Sequence, residues 1–227
     1  MKFTVPMAIE DFVPVALAGI GFFVLARVMV PRENRVLGLA GATLITLAGF
    51  SKATWKLIMA LSDGAQDVII LSGALFVLMA PGFLLLASAL RVQGAADQPH
   101  PSRRAWMWGG GLAVIALGVA TALELSGSEK GGRITLLATM VLANATVLIT
   151  AARRAWTAGQ WGAGWLFIAY LATGFIMGGL GRMPQSVGLQ WIEQSVNSVG
   201  SGLLCLGAVL YARRQARTPA LVPSEAA

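Results

Sequence analysis

Two lysines four residues apart lie in a stretch of the chain that is otherwise apolar. Lys52 and Lys56 belong to the run from about 36 to 61, which is long enough to cross a bilayer as a helix. An ionisable side chain at the centre of such a helix costs at least about 2.5–3.5 kcal/mol and marks a candidate functional site. The four-residue spacing places both ammonium groups on one face. That face can bind an anion, form ion pairs with carboxylates or exchange protons.

A second polar pair with the same spacing, Glu193 and Asn197, lies in the last apolar run. At 1.5 Å per residue, Lys52 and Lys56 lie about 24 and 30 Å along a helix that leads to one side of the bilayer. Glu193 and Asn197 lie about 8 and 14 Å below that side, and Glu124 ends another run there. We predict that these five residues form one ligand-binding or proton-carrying cluster, in which Glu193 faces Lys52 or Lys56. The alternative is a structural Lys52–Glu193 ion pair, with Lys56 extended to the headgroups.

Milder polar residues form a secondary set for the same site. Asn144 lies in the fifth apolar run, and Tyr170 and Thr173 lie in the sixth, all deeper than the lysines. Arg182 ends the sixth run on the side of Lys56.

The spacing of apolar runs predicts the fold class. Seven runs of sufficient length lie at about 10–30, 36–61, 67–91, 104–126, 132–152, 160–182 and 188–211. Only 12% of the 227 residues are charged, against roughly 25% in soluble domains. We therefore predict an all-α, polytopic integral membrane protein with a single seven-helix transmembrane domain over residues 1–217. Residues 218–227, with two prolines and no periodicity, are predicted to be a disordered tail.

The basic residues predict the orientation of the bundle. Eleven arginines flank the ends of the runs on one side: Arg27, Arg32, Arg35, Arg91, Arg103, Arg104, Arg153, Arg154, Arg213, Arg214 and Arg217. The other side has four basic residues, apart from the two lysines within the helix: Lys2, Lys130, Arg133 and Arg182. The positive-inside rule then places the N-terminus outside and the C-terminus in the cytoplasm of a plasma or inner membrane.

Several classes of function are excluded by what the chain lacks. The single histidine, His100, lies in a predicted cytoplasmic connection, and the single cysteine is Cys205. Bis-histidine haem, histidine–zinc sites and histidine-dependent hydrolysis therefore have no residues to carry them. We favour a non-enzymatic protein without cofactor or metal. The net charge of +7 lies at helix ends, so we expect the lipid bilayer as a partner and no nucleic acid.

The favoured function is the binding or transport of a small polar or anionic solute, or of protons. A receptor-like ligand sensor and an accessory subunit of a membrane complex are the alternatives. The layout resembles that of rhodopsins and seven-helix receptors in topology alone. Retinal binding is not expected, because the last run has no lysine. The small residues Gly174 and Gly178 predict close helix packing within the bundle or in a homo-oligomer.

Overall fold

The structure is a computed structural model that describes residues 4–91, 101–128, 130–184 and 186–217, except the side chains of residues 101 and 102. The predicted tail at 218–227 and the connection that contains His100 lie outside the described residues.

Helices and short connections make up the whole of this described part. The helices are α1 (Val5–Glu10), α2 (Phe12–Val28), α3 (Arg35–Leu61), α4 (Ile69–Arg91), α5 (Pro101–Leu125), α6 (Gly131–Thr157), α7 (Trp161–Leu180) and α8 (Val187–Arg217), with a 3-10 turn at Arg32–Asn34. Seven helical spans in the described ranges are long and apolar enough to cross a membrane, α1 and α2 together forming the first. The prediction of an all-helical chain with seven such helices is confirmed to that extent.

The first span is broken at Asp11, between α1 and α2. Pro14 has no amide hydrogen, so the carbonyl of Glu10 lacks the donor that a regular helix would provide. The span begins at Val5, five residues before the predicted start. The additional turn, α1, packs against α3 and α8.

Six of the seven spans form a closed ring. In order around it, α2, α3, α4, α6, α7 and α8 each pack against the next, and α8 packs back against α2. The remaining helix, α5, packs against α4 and α6. Side chains on α5 are therefore separated from the interior of the ring by those two helices.

Two glycines set the closest approach between α3 and α4. A Cβ atom at Gly41 would lie 2.6 Å from the carbonyl oxygen of Gly82, and one at Gly82 would lie 2.9 Å from the side chain of Ile45. Real Cβ atoms do not come this close to other heavy atoms, so a larger residue at either position would push α3 and α4 apart. Pro81 and Gly82 are both buried within α4.

The small-residue step in α7 has no such packing role within the chain. Gly174 and Gly178 are exposed, and a Cβ atom at either would meet no atom within 4 Å. A homo-oligomeric contact through these glycines stays a prediction.

Arg154 ties three helix ends together. Its guanidinium donates to the carbonyl oxygens of Met29, which follows α2, and of Leu90, in the last turn of α4. Carbonyls at a helix C-terminus have no donor within the helix and carry the negative end of its dipole. Arg154 was predicted to lie in the connection after 152, but α6 continues to Thr157. We call this side of the bundle the arginine end, because the C-terminal arginines of α2, α4, α6 and α8 lie there.

The outer surface of the bundle is apolar. Val114 on α5, Leu142 on α6 and Phe175 on α7 are 70%, 70% and 64% exposed. Large apolar side chains in such positions are consistent with contact with lipid, as expected for a multi-pass membrane protein.

Candidate functional site

The ring encloses a cavity of about 360 Å³, which we call the central cavity. Each of the six ring helices contributes to its wall, whereas no described residue of α5 does. Its volume falls in the range of sites that hold small molecules. The polar side chains that line it are Thr46, Lys52, Asn144, Tyr170, Thr173, Asn197 and Ser201.

Aromatic rings close the central cavity toward the arginine end. Phe22 contacts Phe83 edge to face, with the ring centroids 5.3 Å apart, and contacts Tyr170 at 6.2 Å. Beyond these rings, Leu86 and Leu204 are completely buried. The remaining wall is mostly aliphatic, aromatic and methionine side chains. The described residues at this end therefore give the central cavity a largely apolar floor above a packed core.

Lys52 lies at the other end of the central cavity. It is the one charged side chain among the described residues that line the cavity, and it is exposed. Four formal charges act on it: Lys56 and Arg133 repel its ammonium, while Asp11 and Glu193 attract it. Lys52 thus provides the one formal charge among the described residues of the cavity wall.

A polar layer next to Lys52 holds α1 in place. The Lys56 Nζ lies 2.5 Å from the Asp11 Oδ2, and the two side chains are 16% and 10% exposed. On α8, the Gln194 Nε2 donates to the carbonyl oxygen of Met7 at 3.2 Å. The hydroxyl of Ser198, one turn further, donates to the carboxylate of Glu10. These contacts join α1 to α3 and α8 at the end opposite the arginines.

Five of the predicted site residues share the central cavity, and they come from four helices. These are Lys52, Asn144, Tyr170, Thr173 and Asn197. The primary and the secondary polar sets predicted from the sequence therefore contribute to one wall.

Four predicted residues do not line it. Lys56 belongs to the layer with Asp11. Glu193 is half-buried on α8, one turn from Asn197, and acts on Lys52 electrostatically. Glu124 is exposed near the end of α5, where its Oε1 would lie 3.0 Å from a Cβ atom at Gly132. Arg182 is exposed in the turn after α7. Glu124 thus lies on a helix outside the ring, and Arg182 lies beyond the end of α7.

Three residues of this region were missed in the sequence. Ser201 continues the spacing of Glu193 and Asn197 by one more turn, so the same four-residue rule could have found it. Asp11 lies beside Lys56 because α1 packs against α3, a contact that helix spacing alone does not show. Thr46 was not marked by any pattern in the sequence. A threonine in a helix can satisfy its hydroxyl on its own backbone, as Thr46 does by donating to the carbonyl of Ala42 at 2.8 Å.

An unpaired polar atom lies in the cavity wall. The Asn144 Oδ1 is buried and has no hydrogen-bond partner among the described residues. A buried acceptor left in this way costs about 1–3 kcal/mol. A hydroxyl or amine of a bound molecule would satisfy it.

The central cavity offers one cation, two amides, several hydroxyls and an apolar floor. In the described ranges, no group of three or more His, Cys, Asp or Glu side chains could hold a metal ion. Its chemistry is that of a binding site for a small molecule with a polar or anionic group and an apolar part. The fold and this site define an all-helical bundle that has seven helices long and apolar enough to span a membrane and an internal cavity. No family model, curated protein or solved structure matches the chain.

Proposed function

We propose that this protein binds a small solute in the central cavity, through an anionic group at Lys52 and an apolar body against the floor. The observation that supports this most is the position of Lys52. It is the one charged residue among the described residues of a wall that is otherwise neutral. An anion there gains a charge-assisted hydrogen bond in surroundings of lower dielectric than water.

Further contacts would orient the solute. Asn197 and Ser201 lie below Glu193 on α8, and Thr173 and Tyr170 lie on the neighbouring helix α7. The unpaired Oδ1 of Asn144 accepts a hydrogen bond from a donor on the solute. The apolar rings of Phe22 and Phe83 favour an aromatic or aliphatic body.

The orientation of the bundle decides from which side the solute enters. The excess of arginines favours the cytoplasm for the arginine end, in a plasma or inner membrane. The central cavity then receives its solute from outside, because its floor lies toward the arginine end.

Transport requires a second state in which the floor opens. Movement of the solute to the cytoplasm would separate Phe22, Phe83 and Tyr170 and the core beneath them. A sensor needs the same binding step without this opening. Proton transfer is less well supported, because Lys52 and Tyr170 are the titratable groups among the described residues of the wall.

Binding of a charged and a neutral probe of the same shape tests the proposal. We expect 3-phenylpropionate to bind to the protein in nanodiscs, and 3-phenylpropionamide to bind at least about tenfold more weakly. Lys52→Met should remove the preference for the carboxylate, and Lys52→Arg should keep most of it. Lys130→Met, which removes an exposed lysine outside the cavity, is the matched control.

Equal affinity for both probes, or the same loss in Lys52→Met and Lys130→Met, would reject anion binding at Lys52. If the probe binds, its uptake into proteoliposomes then separates transport from sensing. Accumulation inside the vesicles indicates a transporter, and binding without accumulation indicates a sensor or an accessory subunit.

A further inference from the structure

A second cavity lies at the arginine end, away from the central cavity. Its volume is about 530 Å³, and it lies between the start of α7, the connection that precedes α7, and the last turns of α8. We call it the arginine pocket; Gly159, Gln160, Trp161, Arg213, Arg214 and Arg217 line it. The proposed binding of a solute in the central cavity does not involve any of these residues.

Three guanidinium groups line the arginine pocket. Arg213, Arg214 and Arg217 are exposed, and Arg217 lies about one turn of α8 from each of the other two. The Arg214 Nη1 also donates to the carbonyl oxygen of Gly159 at 3.4 Å, which fixes α8 against the connection. No acidic side chain is present among the described residues of the lining. Arginine forks of this kind match the oxygens of phosphate groups.

The N-terminus of α7 adds positive potential to the same pocket. Its first residue, Trp161, lines the pocket, and no side chain caps the first amides. Free amides at a helix start carry the positive end of the dipole and bind anions. Gln160, which is 6% exposed, adds a buried amide group. Arg213, Arg217 and a helix start thus converge in a pocket whose described lining contains no acidic residue.

Tryptophans place the pocket at the level of lipid headgroups. Trp161 and Trp165 are 62% and 59% exposed, and Trp156 stacks on Trp161 with ring centroids 6.2 Å apart. Exposed tryptophans are enriched at the boundary between hydrocarbon and water. Basic pockets between helices at this depth bind the headgroups of anionic lipids.

We propose that the arginine pocket binds a phosphate group, carried by the headgroup of an anionic phospholipid. The phosphate oxygens accept hydrogen bonds from Arg213, Arg217 and the first amides of α7. A free phosphate ion has the same chemistry, so the experiment must distinguish the two sources.

Native mass spectrometry of the whole protein measures retention of phosphatidylglycerol, with phosphatidylcholine as the neutral reference. A second arm measures thermal stabilisation by inorganic phosphate in phosphatidylcholine nanodiscs. Arg213→Gln with Arg217→Gln should weaken phosphatidylglycerol retention at least about tenfold. Arg27→Gln with Arg32→Gln, which removes two exposed arginines near the same end, should change it less than about twofold.

The outcomes separate the sources. If Arg213→Gln with Arg217→Gln, which we call the pocket variant, retains less phosphatidylglycerol and the control double variant does not, the source is a lipid headgroup. A specific loss in the inorganic phosphate arm alone supports the phosphate site and rejects the lipid source. Equal effects in both double variants, or no effect in either arm, would overturn the proposal. If the pocket variant does not fold, Arg217→Gln alone, at the exposed end of α8, is tested against Arg32→Gln with the same criteria.

Discussion

Removal of the Arg154 guanidinium should destabilise the bundle more than removal of any neighbouring arginine. Arg154 is half-buried and donates to two helix-end carbonyls, those of Met29 and Leu90. A hydrogen bond to a charged group contributes about 1.5–3 kcal/mol, and the carbonyls lose their donors when it is removed. We expect Arg154→Met to reduce the free energy of unfolding by about 3 kcal/mol, the lower end for two such bonds.

The adjacent Arg153 provides the control. Arg153 is exposed, so Arg153→Met removes the same charge and should cost less than about 0.5 kcal/mol. Arg154→Lys should give an intermediate loss, because one ammonium cannot reproduce the fork of two guanidinium donors. Unfolding in bicelles by titration with dodecyl sulfate measures these differences. Equal losses in Arg153→Met and Arg154→Met would show that Arg154 acts only through its charge.

Three further predictions concern the polar layer, the helix packing and the orientation. Lys56→Met should reduce the free energy of unfolding by about 3 kcal/mol, because the paired Asp11 becomes a buried carboxylate without its partner. Adding Asp11→Asn should recover at least half of this loss in a double-mutant cycle. Strictly additive effects of the two substitutions would exclude the ion pair. Gly41→Ala should destabilise the protein by more than about 1 kcal/mol in the same unfolding assay. Gly73→Ala, where the added Cβ atom meets no atom within 4 Å, should stabilise it slightly. Similar values for the two variants would contradict the close contact between α3 and α4. In a variant without the native cysteine, Thr4→Cys should react with a membrane-impermeant maleimide from outside the cell, and protection from that reagent in intact cells would reverse the orientation.

Hydropathy predicted the seven helices that are long and apolar enough to span a membrane, and helix rise predicted a depth for Lys52 that stays a prediction. Both depend on one helix at a time, which a single sequence describes well. The break at Asp11 was not predicted, because the first apolar run was taken to begin at about residue 10 and α1 precedes that position. The turn before it, with Met7 buried, is part of the fold through its contacts with other helices.

Depth does not determine which helices are neighbours. Glu124 has the predicted depth, but α5 lies outside the ring. The contact of Asp11 with Lys56 likewise depends on the packing of α1 against α3. The sequence therefore predicted a layer of polar residues. Which of them line the central cavity depends on how the helices pack into the ring.

The role of Arg154 was missed for a related reason. Counting arginines treats each as one charge at the membrane boundary and predicts orientation. The count cannot tell exposed Arg153 from Arg154, which turns toward α2 and α4. That difference follows from helix rotation within the bundle, which needs the neighbouring helices to be known.

The position of a bound carboxylate relative to Lys52 tests the central claim most directly. Solid-state NMR can measure the distance from the ¹³C-labelled carboxylate of 3-phenylpropionate to the ¹⁵N-labelled lysine Nζ atoms, with Lys52→Arg used to assign the signal. We predict a contact within about 4 Å, the range of an ion pair, that disappears from the lysine signal in Lys52→Arg while the probe stays bound. A bound probe whose carboxylate shows no contact with the Lys52 Nζ would contradict the proposed site.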